Sequence, residues 1–348
     1  MSSTMKTQEP NPPAASAAVA AAPRRRPMGG AKELGIFALL LVLCIVVSAL
    51  NHNFLLPFNL SQLANLIGIY GIFGIGAGVV IITSGIDLTV GSMFALEGVL
   101  VAMALNQAHI AWPIVVLGAL VFCMALGLIH GLLITKIPLQ PFIVTLCGLL
   151  LYRGLARFVS GDNTEGFGNG GHYKALVNLM TGSVMTWIPN TFIIMLIVAA
   201  IMWVVVHRSI YGRHLMAVGR NEEAARYSGI NTQRIIISAY IVAGLLTGIS
   251  GLLLAFYTNS ISPATHGESY ELYGIAAAVL GGCSLRGGEG SVIGVLIGTA
   301  LLQVLLNLVI LLRIPDTLQF SVVGAVILLG VIVDELIKKR RSKIKVVA

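Results

Sequence analysis

The sequence predicts an all-α, polytopic membrane protein with about ten transmembrane helices, some of them short or broken. Three observations support this fold class. Hydrophobic residues make up 57% of the 348 residues and charged residues only 10%, whereas soluble domains carry about 25% charged residues. The mean hydropathy is +0.91. Apolar runs close to the length of about twenty residues that crosses a bilayer recur along the chain.

The chain divides into three parts. Residues 1–30, rich in Ala, Pro and Ser, are predicted to be a disordered cytosolic segment. Residues 31–335 form the transmembrane domain, and residues 336–348 form a basic cytosolic tail. The first predicted span is short. The eighth is weakly predicted because its apolar run ends in glycine residues. The spans lie at residues 34–50, 61–83, 88–105, 112–134, 139–159, 190–207, 235–257, 270–282, 291–312 and 317–333.

Basic residues flank the spans in a pattern that orients the chain. They occur at 24–26, at Lys136, as five arginines between 208 and 234, at Arg286 and in the tail. An even number of spans places all of them on one side, which the positive-inside rule makes cytosolic, together with both termini. The start imitates a signal peptide, but cleavage would remove the first span and spoil this agreement. The net charge of +8 is therefore explained by basic residues on the cytosolic side of the lipid membrane. It does not indicate nucleic-acid binding.

The sequence contains no pattern that indicates catalysis, a metal site or a cofactor. The four cysteines and seven histidines are scattered, without metal-ligand spacing. No G-x-x-x-x-G-K-[ST] motif occurs, so the chain has no P-loop with which to hydrolyse ATP. We therefore expect a protein that is not an enzyme and that needs no cofactor.

Glycines recur at helical spacing inside several spans. Small residues at such intervals let helix backbones approach closely in a membrane. Packing within one chain and packing between two copies both explain this pattern. The glycines in spans four and nine are Gly118, Gly127, Gly131, Gly290, Gly294 and Gly298.

The first break in the apolar pattern, at residues 84–92, is polar and bounded by glycines. A carboxylate at a helix break caps the next helix, fixes the loop or faces a polar pathway. Span counting places Asp87 near the cytosolic boundary, and its structural and pathway roles are both open. The marked residues of this break are Gly85, Asp87, Gly91 and Ser92.

The second break, at residues 281–290, is predicted to be a cytosolic turn. Its glycines permit a tight backbone, and its charged side chains can anchor a neighbouring segment. Paired helix breaks often frame the substrate path of a transporter. The marked residues of this turn are Gly281, Gly282, Arg286, Gly287 and Gly288.

A short capped helix is predicted in the charged segment between spans six and seven. Asn221 suits the N-cap, two glutamates in the first turn favour the helix dipole, and Gly229 suits the left-handed position after the helix. Docking to a soluble partner and an ordinary charged loop are both compatible with it. The helix and its flanks comprise Arg220, Asn221, Glu222, Glu223, Ala224, Ala225, Arg226 and Gly229.

Three charged residues are predicted on the outer face. Arg153, in the outer half of span five, either snorkels to the interface or faces an outer vestibule. Glu268 and Glu271 belong to the polar loop at 258–271, which either forms a rim for a docked partner or is a solvated turn in which Glu271 caps span eight.

Four segments resemble, in order and spacing, the membrane permease subunits of bacterial ABC sugar importers of the ribose, arabinose and xylose type. They are residues 85–92, 219–229, 270–272 and 279–288. The resemblance covers residues 34–335 and makes the transmembrane domain a permease domain. It implies a homodimer in the inner membrane, a periplasmic sugar-binding protein and a separate ATPase subunit.

The resemblance also implies a mechanism and leaves alternatives. The expected activity is ATP-driven import of a monosaccharide, a pentose such as ribose, xylose or arabinose, by alternating access. The capped helix would dock into the ATPase. Related permeases for nucleosides or branched-chain amino acids are close alternatives. An ion-coupled secondary transporter is a further one, for which only Asp87, Glu97 and Glu271 offer coupling carboxylates within the spans.

Overall fold

The structure, a computed structural model, describes residues 29–168, 171–184 and 187–315, together with residues 318, 321, 324, 325 and 328. The predicted basic tail lies outside these residues, as do nearly all of the predicted N-terminal segment and most of the predicted tenth span. The helices are α1 Gly29–Leu50, α2 Pro57–Ile82, α3 Val90–Asn106, α4 Trp112–Lys136, α5 Pro141–Ser160, α6 Lys174–Thr181, α7 Asn190–Trp203, α8 Ile210–Arg220, α9 Glu222–Tyr227, α10 Thr232–Thr258, α11 Tyr270–Leu280 and α12 Val292–Leu311.

The structure confirms the predicted all-α membrane fold. Within the described residues, seven helices are long and apolar enough to cross a membrane: α1, α2, α4, α5, α7 with its π-helical extension Val204–Arg208, α10 and α12. The predicted third and eighth spans are the shorter apolar helices α3 and α11. A two-stranded antiparallel hairpin, β1 Ser183–Val184 and β2 Ile188–Pro189, connects α6 to α7.

Helix α2 lies at the centre of the bundle, buried from Gly68 to its end. It packs against α7, α10, α11 and α12, while α4 packs along α10 and α3 packs on α5. Helix α1 lies at the edge, where the Ser291 hydroxyl donates to the Glu33 carboxylate and the Asn51 amide donates to the Leu311 carbonyl over 2.9 Å. These two bonds tie both ends of α1 to α12.

Glycines allow the close helix contacts, as packing within one chain predicts. A Cβ on Gly127 would overlap the Tyr240 carbonyl, and one on Gly131 would lie 2.8 Å from Ile237 Cα. The α4 and α10 backbones therefore touch along this stripe. Gly298 allows α12 to pack closely against α11 in the same way. Gly118, in contrast, has no neighbour within 4 Å of its added Cβ.

Two helices are discontinuous, and they enter the bundle from opposite ends. Residues 83–89 are non-helical and lead into α3, and residues 259–269 lead into α11. We call the end with Lys136 and the arginines of 208–234 the basic end; there Lys136 donates to Gln233 over 2.9 Å. At the opposite end, Glu165 and Ile261 pair through two backbone hydrogen bonds of 3.0 and 2.7 Å.

Candidate functional site

The predicted capped helix is present at the basic end as α9. Asn221 is its N-cap, and the Asn221 Oδ1 accepts from the Ala224 N–H over 2.9 Å. Glu222 lies in the first turn and pairs with Arg226 at 3.1 Å. Arg220 differs from expectation: it ends α8, so that Asn221 separates two short helices rather than starting a single one.

Gly229 ends α9 as predicted. Its φ of +83° is left-handed, which an L side chain rarely adopts. The Gly229 N–H donates to Arg226 O over 3.0 Å and the Ile230 N–H donates to Ala225 O over 3.1 Å, the paired bonds of a Schellman motif. Tyr227, which the sequence analysis did not single out, is 83% exposed on this short helix. The α9 segment thus presents charge and one large aromatic side chain outward.

The end of α8 meets both breaks at a contact we call the glycine junction, formed by Ser84, Gly219, Gly287 and Gly288. The Ser84 hydroxyl lies 3.0 Å from the carbonyl oxygens of Gly219 and Arg286. The Gly288 N–H donates to Ile82 O over 2.9 Å. A Cβ on Gly219 would overlap the Ile82 oxygen, and one on Gly288 would lie 2.9 Å from the Arg220 backbone. Three segments predicted separately therefore touch through their backbones.

The remaining glycines of the second break have a different position. Gly281 caps the end of α11, and a Cβ there would overlap the Gly294 carbonyl of α12. Gly282 has a left-handed φ of +91° and turns the chain away from the helix. These two glycines join α11 to α12, whereas Gly287 and Gly288 join the turn to α8.

The first break is held in place by hydrogen bonds. Asp87 is buried, and its Oδ1 accepts from both the backbone N–H and the hydroxyl of Thr89, over 2.9 and 2.6 Å. Ser92 donates to Thr89 O over 2.9 Å. The Tyr240 hydroxyl reaches Ile86 O over 3.2 Å. The geometry agrees with a role for Asp87 in fixing the loop, and a role in a substrate pathway remains a prediction.

The two discontinuous helices meet at their N-termini. A Cβ on Gly91, in the first turn of α3, would overlap the Gly267 carbonyl and lie 2.7 Å from Glu271 Oε2. Of the two predicted positions, the structure has Glu271 in the first turn of α11 and not on an outer rim, because the loop at 259–269 folds back into the bundle before α11 begins. Glu268 is exposed.

Arg153 fastens this loop. Its guanidinium donates to the carbonyl oxygens of His266, over 2.7 Å, and of Pro263, over 3.2 Å. The structure thus shows Arg153 bound to the folded-back loop, and its predicted roles at the lipid interface or in an outer vestibule remain predictions. Burial, with the Arg153 charge nearby, lowers the pKa of His266 to about 4.

Four tyrosines cluster where α2, α10 and α11 meet; we call Tyr70, Tyr257, Tyr270 and Tyr273 the tyrosine cluster. The rings of Tyr70 and Tyr270 have centroids 4.9 Å apart, and Tyr273 lies 6.0 Å from each. The Tyr70 hydroxyl hydrogen-bonds to Tyr270. The Tyr257 hydroxyl donates to Gln62 Oε1 over 3.1 Å. No pattern in the sequence singles out this cluster, although three of its tyrosines flank the loop at 259–269.

The described part of the chain contains no group of three or more His, Cys, Asp or Glu residues placed to hold a metal ion. The features of the site are thus a helix presented outward, a backbone junction and a polar aromatic cluster between broken helices. Paired helix breaks of this kind often frame the substrate path of a transporter.

Comparison with known proteins shows the family to which the chain belongs. Residues 59–331 match the family model described as the permease component of the branched-chain amino acid transport system. The chain belongs to this permease family. It is a multi-pass membrane transport subunit, and its similarity extends over nearly the whole length of its relatives.

Three relatives illustrate this similarity. The ribose import permease RbsC of Bacillus subtilis (strain 168) is 39% identical over 307 residues, covering 88% of this chain and 94% of the relative. The ribose import permease RbsC of Escherichia coli (strain K12) is 38% identical over 304 residues, covering 85% and 91%. The D-allose transport system permease AlsC of Escherichia coli (strain K12) is 31% identical over 308 residues, covering 88% and 93%. No solved structure matches the chain significantly.

Proposed function

We propose that the chain is the permease subunit of an ATP-driven importer that carries a monosaccharide, and that the monosaccharide is a pentose such as ribose, xylose or arabinose. The similar permeases named above are ribose and allose permeases, and a fructose import permease of Bifidobacterium longum is 32% identical over 290 residues. All three names refer to neutral, hydroxyl-rich solutes. The importer acts in the bacterial inner membrane.

The observation that carries this substrate class is the contact between Gly91 and Glu271. The N-terminus of a discontinuous helix attracts anionic substrate groups, such as the carboxylate of an amino acid. Here the Glu271 carboxylate already lies against Gly91 in the first turn of α3. A zwitterionic amino acid would have to displace it, whereas a neutral sugar has no charge to place there. This contact favours a sugar over the branched-chain amino acids of the family description.

Helices α8 and α9 couple the permease to ATP hydrolysis. The chain has no P-loop, so ATP hydrolysis belongs to a separate ATPase subunit, which binds the exposed α9 with its Glu222–Arg226 pair and Tyr227. Tyrosines are common anchors of protein interfaces. ATP-driven movement of α8 then reaches both broken segments through the glycine junction, and the pathway opens alternately to each side.

The proposed function also includes an oligomeric state and an orientation in the membrane. Two copies of the permease form the pathway as a homodimer, with both termini and the basic end in the cytosol. A periplasmic sugar-binding protein docks at the opposite end, where Glu268 is exposed beside the loop that Arg153 holds. Docking there acts on the loop that leads directly into α11.

Reconstitution tests the function. The permease, its ATPase and its binding protein are placed in proteoliposomes, and uptake of labelled ribose, xylose, arabinose, allose, fructose, a nucleoside and leucine is measured with internal or external ATP. ATP-dependent uptake of a pentose above all other solutes supports the proposal. Preferential uptake of leucine or the nucleoside overturns the substrate class, and uptake driven by an ion gradient without ATP overturns the transporter class.

A further inference from the structure

The tyrosine cluster occupies a position defined by the two broken helices. Tyr270 begins α11, directly beside the Glu271 that contacts the start of α3. Tyr257 lies in the last turn of α10, so the loop at 259–269 leaves the cluster at Tyr257 and returns to it at Tyr270. Movement of that loop or of α11 relative to α2 therefore changes the spacing of these side chains.

The chemistry of the cluster suits one class of solute. Each phenol hydroxyl both donates and accepts a hydrogen bond, and the Gln62 amide does the same. The ring faces are apolar, whereas the ring edges end in a polar group. A sugar has the same combination, with hydroxyls around its edge and C–H groups on its faces. None of the four tyrosines or Gln62 is charged, so a neutral solute meets no ionic group among them.

Existing hydrogen bonds in the cluster can be exchanged rather than lost. Tyr70 bonds to Tyr270, and Tyr257 bonds to Gln62 at 3.1 Å. A sugar hydroxyl inserted between either pair replaces one neutral hydrogen bond by two others of the same kind. The net gain is at most the size of one hydrogen bond, because the sugar hydroxyl also gives up its bonds to water. Weak contact of this kind lets a solute leave again, which a transport pathway requires.

We propose that the tyrosine cluster, together with Gln62, is the place in the permease where the hydroxyls of the passing sugar are contacted. The inference rests on the proposed function and adds a location to it. Glu271 does not contact the sugar in this arrangement, since its carboxylate is engaged by Gly91. Its role is to position Tyr270 at the start of α11.

The test replaces tyrosines of the cluster by phenylalanine, which removes the hydroxyl and keeps the aromatic ring. Tyr257→Phe, Tyr270→Phe and the double variant are compared with Tyr173→Phe, a matched control whose hydroxyl bonds to Asn106 over 2.6 Å outside the cluster. All are reconstituted with the ATPase and binding protein, and uptake is measured for ribose and for deoxyribose. We expect the double variant to slow ribose uptake about fivefold, the size of one lost hydrogen bond, and to reduce the preference for ribose over deoxyribose. Tyr173→Phe should keep the wild-type uptake rate, sugar preference and sugar-stimulated ATPase activity, because its hydroxyl lies outside the cluster.

The outcomes separate this inference from the proposed function. If the wild-type complex takes up no sugar, the proposed function fails before the cluster is tested. If the wild-type complex takes up ribose and the double variant matches Tyr173→Phe in rate and preference, the cluster is not the contact site and the proposed function stands. If the double variant fails to assemble, Gln62→Met and Tyr257→Phe each remove one side of the Tyr257–Gln62 bond, and unchanged preference in both overturns the inference.

Discussion

The Ser84 hydroxyl lies 3.0 Å from the carbonyl oxygen of Gly219, which joins the segment before α3 to the last turn of α8. The two residues are separated by 135 positions in the chain. Around this contact, Gly287 and Gly288 leave room for backbones that no side chain could share. Movement at α8 and movement at both helix breaks are thereby linked.

Gly219→Ala is expected to disturb this junction. The added Cβ would overlap Ile82 O and lie 2.6 Å from Gly288 N, so the α8 end would have to shift, at a cost of about 1–3 kcal/mol. We expect ATP-dependent uptake to fall at least tenfold while the variant still inserts. Gly154→Ala, in α5 with no neighbour within 4 Å of the added Cβ, is the control. Equal uptake by the two variants would remove the junction from the coupling route.

Gly229→Pro and Glu223→Lys are expected to uncouple the permease. Proline fixes φ near −65°, which is incompatible with the +83° at Gly229. Lysine in the first turn of α9 places a positive charge at the positive end of the helix dipole, at a cost of about 0.3–1 kcal/mol. We expect both variants to insert and dimerise but to lose sugar-stimulated ATPase activity. Glu223→Gln, which removes the charge without reversing it, should have the smaller effect; normal uptake and ATPase activity in both variants would contradict the assignment of α9.

Arg153→Gln is expected to release the loop at 259–269. Glutamine cannot reproduce the charged bonds to the His266 and Pro263 carbonyls, each worth about 1.5–3 kcal/mol when fully formed. Uptake should fall while expression stays near wild type, and hydrogen exchange at 262–267 should become faster. Arg153→Lys keeps the charge and should retain part of the uptake. Unchanged exchange in the glutamine variant would show that the loop is held by other contacts.

His266 should make stability depend on pH. Its folded-state pKa of about 4 lies below its ordinary value of 6.5, because the ring is buried near Arg153. Between these values the unfolded chain binds a proton that the folded protein does not, so stability is full above pH 6.5 and decreases as the pH falls toward 4, by up to about 3 kcal/mol. Thermal unfolding of the solubilised protein at pH 7 and pH 5 measures this. His266→Gln should show a smaller drop in Tm over the same interval, and identical drops would contradict the prediction.

Glu268→Lys is expected to slow association of the binding protein. Glu268 is exposed at the opposite end, where rim charges chiefly set encounter rates, which salt screens. We expect the association rate to change severalfold at low salt and to converge with wild type at about 1 M salt. We had expected Glu271 to act with Glu268, but Glu271 contacts Gly91 inside the bundle, so its reversal should damage the fold instead. An association rate that is unchanged at low salt would remove this loop from the docking surface.

The sequence predicted those parts of the molecule that depend on local order. Hydropathy located the long spans, and the α9 cap and its terminal glycine followed from residues within one helix. The positions of Glu271 and the tyrosine cluster depended on a loop that folds back into the bundle, which polarity along the chain cannot distinguish from a solvated turn. The meeting of Ser84 with Gly219 depended on packing between distant segments, and each glycine alone indicated only a tight backbone.

Three of the four residues of the glycine junction have no side chain, so only Ser84 can change rotamer to absorb a displacement. The α8 end contacts residues 82–84 and residues 286–288 at the same place, so we expect a shift of α8 to displace both breaks. A carbon added at Gly219 or Gly287 would overlap neighbouring atoms and would therefore increase the distance between the α8 end and the two breaks.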